Sequence, residues 1–268
     1  MCPPDHYGIE YEINPWMNRS LGAVRELAYT QWTNLRDALV GLGVQVETLE
    51  PVAGLPDLVF TANAGLVYRD ALLSSRFRHE VRAKESPVFD AWFAGHGFRV
   101  EHLPADIYHE GAGDALFCGD ALFAGYRIRS DAAAHQWVAK KLGVRVLPLE
   151  LVNTRFYHLD TCFCPLAPGV AIYYPEAFDA YGRRVLESQV GTLIPVAEEE
   201  AHRFGCNAVV VGRTVVHNSR CPKLAADLAK HGFASVEVEL DEFLKAGGSA
   251  KCLTLRLDGE EAAGWRAG

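Results

Sequence analysis

Gly97-Phe98-Arg99-Val100-Glu101-His102-Leu103 has four likenesses elsewhere in the chain. They are Gly43-Val44-Gln45-Val46-Glu47-Thr48-Leu49, Gly143-Val144-Arg145-Val146-Leu147-Pro148-Leu149, Gly191-Thr192-Leu193-Ile194-Pro195-Val196 and Gly232-Phe233-Ala234-Ser235-Val236-Glu237-Val238. In each, a glycine leads into β-branched alternation, the signature of a half-buried strand. The copy at 191 is the weakest. Recurrence at roughly fifty residues marks a chain made of repeated units.

A helical pattern precedes most of these segments. Val24, Leu27, Ala28, Gln31, Trp32, Leu35, Ala38, Leu39 and Leu42 recur at threes and fours, and Gly41 and Gly43 supply a stop. Further helices are predicted near 79–96, 132–142, 176–189 and 222–231. The last has Pro222 in its first turn, where a missing N–H costs nothing. Additional strands are expected at 66–73, 114–124, 169–174 and 208–216, with a hairpin bend at Val211-Gly212-Arg213-Thr214. The repeating unit therefore reads strand, strand, helix, strand. No Pro/Ser-rich linker divides the chain, so one domain over residues 1–268 is expected. Units that cannot bury their apolar faces alone are expected to close into a ring, with residues from different units meeting at the shared axis.

Composition narrows the function classes. The chain has 268 residues, 49% of them hydrophobic and 22% charged, with a formal net charge of −8. Without a cluster of Lys and Arg it lacks the basic face that nucleic acid needs. No apolar run approaches the ~20 residues that span a bilayer. Met1-Cys2-Pro3-Pro4-Asp5-His6 has neither a basic region nor an apolar run of the secretory kind. The seven cysteines are odd in number and scattered, so reduced thiols in a cytoplasm are the expectation. Cys162-x-Cys164 is too tight for a zinc knuckle, and His109, Glu110 and Asp114 lack helical ligand spacing, so no metal site is expected.

Chemistry centres on Gly247-Gly248-Ser249-Ala250-Lys251-Cys252-Leu253-Thr254-Leu255-Arg256-Leu257. The glycine pair lets the backbone turn sharply or approach something small. Cys252 is expected to open an alternating strand, with Leu253, Leu255 and Leu257 on the other face. A lone cysteine is ordinarily a buried structural residue. The partners available elsewhere move the reading toward a thiolate nucleophile. Asp57 and Asn63 are an even number of residues apart and share a face of an extended chain. His109-Glu110-Gly111-Ala112-Gly113-Asp114 places two acids in a glycine-rich turn, and His158 lies within Phe156-Tyr157-His158-Leu159-Asp160-Thr161-Cys162.

These blocks, in this order and over nearly the whole chain, resemble the guanidine-modifying superfamily. It includes arginine deiminases, dimethylarginine dimethylaminohydrolases, amidinotransferases and arginine dihydrolases. The resemblance implies a five-bladed α/β propeller of ββαβ units, the pentein fold. It implies that Cys252 is the nucleophile, His158 the general acid/base and Glu110 the supporting carboxylate. Asp57 falls at an acid that contacts substrate. Arg129 resembles the arginine that holds the substrate's α-carboxylate, with Arg78 as a second such residue and Arg76 as its alternative. The spacing Glu110-Gly-Ala-Gly-Asp114 is one residue longer than the commoner form, so Glu110 and Asp114 are able to exchange roles. Asn63 stands where deiminase-type members carry an aspartate. That amide, with the block Tyr11-Glu12-Ile13-Asn14-Pro15-Trp16-Met17, is more similar to the arginine dihydrolases, and Asn14 joins the substrate-binding candidates.

The chemistry fits these residue types. A guanidinium is a planar delocalised cation that carboxylates grip by charge and paired hydrogen bonds. Its carbon is a poor electrophile, so a soft thiolate suits it, and an imidazole is able to protonate the leaving ammonia and activate water. A small-molecule substrate, arginine or a substituted arginine, and no organic cofactor are implied. Hydrolysis to citrulline alone, amidino transfer to an amine, and an inactive propeller acting as a binding module are the alternatives. Oligomeric state is left open, a homo-oligomer included.

Overall fold

The computed structural model describes residues 1–259. Among them, twelve strands form four three-stranded sheets. The first holds β1 (Gly65–Tyr68), β2 (Ala71–Ser74) and β3 (Arg99–Glu101); the second holds β4 (Ala115–Cys118), β5 (Ala121–Tyr126) and β6 (Arg145–Glu150). The third holds β7 (Phe163–Ala167), β8 (Val170–Tyr173) and β9 (Thr192–Pro195); the fourth holds β10 (Val209–Val211), β11 (Thr214–Asn218) and β12 (Ala234–Val238). In every sheet the first two strands form an antiparallel hairpin and the last pair runs parallel. A parallel pair needs a crossover, and a helix supplies it each time.

Helix α1 is Arg25–Gly41, and the crossovers are α2 (Glu80–Ala83) with α3 (Ser86–Gly95), then α4 (Ala132–Leu142), α5 (Ala180–Gln189) and α7 (Pro222–Lys230). Two single turns, α6 (Glu198–Ala201) and α8 (Asp241–Leu244), lie between units. The expected ββαβ repeat is thus realised four times, and the helix expected at 132–142 coincides with α4. The predicted bend at 211–214 pairs Val211 with Thr214. Gly143 ends α4 with φ +67°, a left-handed cap that costs glycine nothing.

Three expectations need correction. The helix expected over 79–96 is broken after Ala83 because Pro87, in the first turn of α3, has no N–H to continue the ladder. In α1, Ala28, Gln31, Trp32, Leu35 and Leu39 are buried, but Val24 and Leu27 from the same pattern are about half exposed, at 49% and 50%. Gln31 is buried because its side-chain oxygen accepts the Glu242 N–H at 2.9 Å, tying α1 to α8. Finally, segments 43–49 and 252–257 join no sheet among the described residues. Residues 44–49 are held by single bonds: the Met1 ammonium donates to the Glu47 carbonyl and Leu49 N–H to the Met1 carbonyl, both at 2.9 Å. A cavity of about 560 Å³ separates them from residues 254–258 and is lined by Leu39, Val44, Val46, Phe89, Val209 and Leu255.

The apolar core is divided by sector. Phe123, Phe156, Phe163, Phe178 and Phe204 fill the largest cluster, between the second, third and fourth sheets. Trp32, Leu35 and Leu39 of α1 pack with Phe60, Phe243 and Cys252 in another. Each sector buries one face of its sheet against its helix, so the polar residues that interrupt the pattern are left for the axis.

Candidate active site

The polar residues singled out above lie in short turns immediately before the first strand of each unit. Residues 61–64, 111–113 and 159–161 are single 3-10 turns leading toward β1, β4 and β7. Asn207 holds the corresponding place before β10, and Cys252 lies in the turn that opens the C-terminal segment.

These five turns are hydrogen-bonded into a closed circuit. Asn63 Nδ2 donates to the Glu110 carbonyl at 3.0 Å, and Leu159 N–H donates to Asp114 Oδ1 at 3.0 Å. Asn207 Nδ2 donates to the Asp160 carbonyl at 3.1 Å, and Cys252 N–H donates to Asn207 Oδ1 at 3.1 Å. Ala62 N–H then donates to the Cys252 carbonyl at 3.1 Å and returns to the first turn. Residues 189 positions apart in the chain, Asn63 and Cys252, are thereby brought to one axis, buried to 2% and 3% exposure.

Cys252 does not open a strand. Leu253 N–H donates to the Ser249 carbonyl and Thr254 N–H to that of Lys251, a helical twist that aims the Cys252 N–H at Asn207. Gly247 and Gly248 make this turn fit: a Cβ on Gly248 would lie 2.3 Å from the Phe60 ring, and one on Gly247, where φ is +80°, 2.8 Å from the Tyr157 hydroxyl. That hydroxyl donates to the Gly247 carbonyl at 2.6 Å. The Cys252 thiol accepts from Asn207 Nδ2 at 3.1 Å and donates to Asp160 Oδ2 at 3.5 Å. Burial and the Asp160 carboxylate push it well above its ordinary pKa, which favours the thiol over the thiolate.

His158 faces a different carboxylate. Its Nε2 lies 2.7 Å from Glu110 Oε2, with both side chains buried. Burial alone would raise the Glu110 carboxyl; the Arg129 guanidinium, 3.0 Å from the same oxygen, and the His158 hydrogen bond outweigh it and hold the group well below the usual range. Asp114 is occupied elsewhere, accepting from Ser130 Oγ at 2.6 Å and from Leu159 N–H. Of the two acids in the glycine-rich turn, Glu110 contacts the imidazole and Asp114 braces the turn beneath it. Burial pushes Asp114 up to about 6.

Asp57 and Asn63 are joined through Arg82, whose Nη1 donates to Asn63 Oδ1 at 2.9 Å and whose Nε lies 3.8 Å from Asp57 Oδ2. Burial raises the Asp57 carboxyl, against the pull of Arg82. Asn14 Nδ2 donates to the Ala246 carbonyl at 3.0 Å, Arg129 Nη2 to the Ile13 carbonyl at 3.1 Å and Trp16 Nε1 to the Arg155 carbonyl at 2.7 Å. The N-terminal loop is thus fastened against the axis at three points. Arg78 Nε donates to the Arg129 carbonyl at 3.0 Å, whereas Arg76 pairs by its backbone with His109.

Four residues at the axis went unnoticed in the sequence. Asp160 lies inside a block already marked for His158. Asn207 falls in the same pre-strand position as Asn63, a correspondence that superposing the repeats reveals. Arg82 and Glu85 sit at a helix break that reads as continuous helix, where charged residues are normally solvated.

Comparison with known proteins places this geometry. The family model described as N,N dimethylarginine dimethylhydrolase, eukaryotic, matches residues 10–258. The bifunctional arginine dihydrolase/ornithine cyclodeaminase AgrE of Nostoc sp. is 49% identical over 262 residues, 96% of this chain and 37% of that protein. The chain therefore spans a little over a third of the length of that bifunctional relative. The N(G),N(G)-dimethylarginine dimethylaminohydrolase of Mycobacterium tuberculosis is 40% identical over 259 residues, covering 96% of this chain and 84% of that one. The N-terminal domain of the cyanobacterial arginine dihydrolase ArgZ, solved as one variant bound to substrate and as another covalently bonded to a reaction intermediate, superposes with a TM-score of 0.93 at 48% identity, covering 96% of both chains. The turns, the buried thiol and the imidazole–carboxylate pair thus sit in a five-bladed pentein propeller, and the chain belongs to the N,N-dimethylarginine dimethylhydrolase family of guanidine-modifying hydrolases.

Proposed function

We propose that this chain is an arginine dihydrolase, converting arginine and two waters to ornithine, two ammonia and carbon dioxide, and that residues 1–268 act as one domain. The observation that carries the reading is the amide of Asn63 at the axis, bonded to Arg82 through its oxygen and to the Glu110 carbonyl through its nitrogen. The likeness to AgrE and to the ArgZ domain supports it.

In this reading the substrate guanidinium enters beside Asp160 and the Cys252 thiol. A cation there offsets the carboxylate that holds the thiol protonated, so the thiol releases its proton to solvent and thiolate forms as substrate binds. Sulfur attacks the guanidino carbon, His158 protonates the departing ammonia, and a thiouronium remains. Water, deprotonated by His158, then releases citrulline and frees the sulfur. A second attack on the ureido carbon expels another ammonia and leaves a thiocarbamate; water cleaves it to a carbamate, which loses carbon dioxide. Glu110 keeps the imidazole oriented. Asp57 and Asn63 line the guanidino end, and Asp114 braces the turn that carries Glu110. Arg129 takes the substrate carboxylate, with Arg78, bonded to its carbonyl, as the second arginine. Asn14 and its loop close over the bound amino acid.

The seven free, buried cysteines fit a reducing, cytoplasmic setting. Among the described residues, no helix is long and apolar enough to cross a membrane.

Incubating the chain with arginine, methylarginine, agmatine and citrulline side by side, with products identified by mass spectrometry, tests the proposal. Ornithine from arginine is expected; citrulline as the sole end product overturns it. Asn63→Asp is expected to shift the output toward citrulline, because a carboxylate repels the ureido oxygen. A second reading, single-step hydrolysis of dimethylarginine to citrulline, draws on the family model and the mycobacterial relative. Faster turnover of methylarginine than of arginine would favour it.

A further inference from the structure

The four sheets repeat one plan, a hairpin whose second strand lies in the middle and runs parallel to the last strand. In three of them the parallel ladder starts at the second residue past a glycine. Ala71 stands opposite Arg99 after Gly97, Ala121 opposite Arg145 after Gly143, and Thr214 opposite Ala234 after Gly232. Residues 43–49 are a fifth copy of that last strand, and α1 precedes them as α4 precedes β6. Across the cleft of about 560 Å³, the segment leaving Cys252 presents Leu255 and Leu257. The two outer members of a fifth sheet therefore face each other with an apolar cleft between them.

Met1 sits at one end of that cleft as the last residue of a middle strand does. Its ammonium donates to the Glu47 carbonyl and its carbonyl accepts from Leu49 N–H, both at 2.9 Å. One residue bonded in this way to the two neighbours of Thr48 is a parallel pair, Met1 opposite Thr48. The third sheet closes on the same step, Val196 N–H donating to the Tyr173 carbonyl at 2.9 Å. Thr48 is three places past Gln45, the position at which the other ladders start. The ladder's next bonds belong to the Glu47 N–H and the Gln45 carbonyl, and among the described residues neither has a partner. Burial pushes the Met1 ammonium down from 8.0 to about 6, a sign that a charged terminus is out of place there. Middle strands β2, β5 and β11 are buried on both faces, so this position suits an uncharged, β-branched run.

We propose that the cleft is a strand slot whose occupant is an extended, uncharged, β-branched segment of the same polypeptide on the amino side of Met1, at least three residues long, completing a fifth sheet between residues 44–49 and 254–257. The seated strand ties the two ends of the ring together. It also steadies the segment that leaves Cys252, because Thr254 lines the same cleft. The inference stands apart from the dihydrolase reading.

The test compares the chain of residues 1–268 with one carrying about six uncharged, β-branched residues ahead of Met1, the length of an ordinary strand. A third chain carries the same number of glycines and serines. The β-branched extension is expected to raise the melting temperature by at least about 5 °C. Hydrogen exchange at the Glu47 amide should slow at least about tenfold, while the Thr48 amide, which points away from the slot, should not change. The glycine–serine extension should do neither. Where the extended chain fails to fold, the same β-branched peptide added in trans should raise the melting temperature of residues 1–268 as its concentration rises. Unchanged melting and unchanged Glu47 exchange overturn the proposal. So does a Glu47 amide that is protected in residues 1–268 and exposed when the chain ends at Gly259, which gives the slot to the C-terminal residues. A melting temperature that rises with the concentration of residues 1–268 gives the slot to a second copy and overturns it too. Intact mass of the protein purified from its own cells should exceed 29.5 kDa by three residues or more, and equality overturns the assignment.

Discussion

Glu110 meets His158 across the boundary between two repeats, its Oε2 2.7 Å from Nε2, with both side chains buried. The carboxylate also neutralises Arg129, 3.0 Å from the same oxygen and likewise buried. Glu110→Gln leaves a buried guanidinium without its counter-charge, a loss of about 3–5 kcal/mol for a broken buried pair. It also removes the carboxylate that orients His158, the proposed general acid/base, and proton transfer by such a group is worth about 10²–10⁴ in rate. The expected outcome is a fall in kcat of at least about 10² together with a lower melting temperature. Steady-state kinetics and calorimetry check it; near-wild-type kcat would rule out the assigned role.

The thiol makes an opposite prediction to that for a pre-formed thiolate. Because burial and Asp160 keep Cys252 protonated, its alkylation by iodoacetamide in the free enzyme should rise steadily with pH, with no inflection below about 9. Asp160→Asn removes a negative neighbour, lowers the thiol pKa and should speed alkylation at neutral pH. Mass-spectrometric mapping of the labelled cysteine follows both. An inflection between pH 6 and 8 in the wild type contradicts this account of the resting state.

Acid should act on two buried histidines in a defined window. Burial pushes His135 down to about 4 and His109 down to about 3 from 6.5. A neutral buried imidazole contributes stability that is complete above the unfolded pKa and is lost as pH falls through the folded one. The contribution of these two histidines should therefore decline from pH 6.5 toward pH 4. Three buried carboxyls act in the opposite sense over most of that window: Asp114, raised to about 6, Glu85, raised to about 7, and Asp57, also raised by burial. Glu110, held low, adds to the loss at the acid end. Melting temperature should be followed against pH for the wild type and for His135→Gln, which cannot take up a proton; as pH falls from 6.5 toward 4 the wild type should lose more than the variant. Parallel curves for the two proteins would refute the role given to His135.

Gly113 is expected to tolerate no side chain. An alanine there places a methyl 2.4 Å from Asn63 Nδ2, whose amide is fixed at both ends. The displacement should cost about 1–3 kcal/mol in stability and should lower activity more than the stability loss accounts for. Kinetics at a temperature where the variant is fully folded will separate the two. Full activity in Gly113→Ala would show that the contact yields freely.

Much of this was legible because periodicity reports burial. Helix α4 and the 211–214 hairpin follow from apolar spacing and a glycine bend; the Cys252 block is marked by its glycine pair, and the His158 block by its resemblance to the family's motif. What escaped depended on long-range pairing. Segment 43–49 has the alternation of a strand, yet a ladder also needs a neighbour at the right edge, which local sequence does not encode. Cys252 looks extended, but the bond from its N–H to Asn207 bends the chain. Arg82 and Glu85 read as surface charges because nothing nearby in sequence reveals that each buries the other. Asn207 was hidden for want of a flanking motif, although its place in the repeat marks it.

The circuit of pre-strand turns has one further consequence. Each unit contributes its polar side chain from an equivalent socket, while the sheet behind that socket is held by separate, apolar contacts. Replacing the occupant of one socket leaves the apolar contacts behind it in place and alters one link of the circuit and one reagent at the hub. Such a scaffold is able to diversify by retooling one position at a time, trading a carboxylate for an amide and so changing when its cargo is let go.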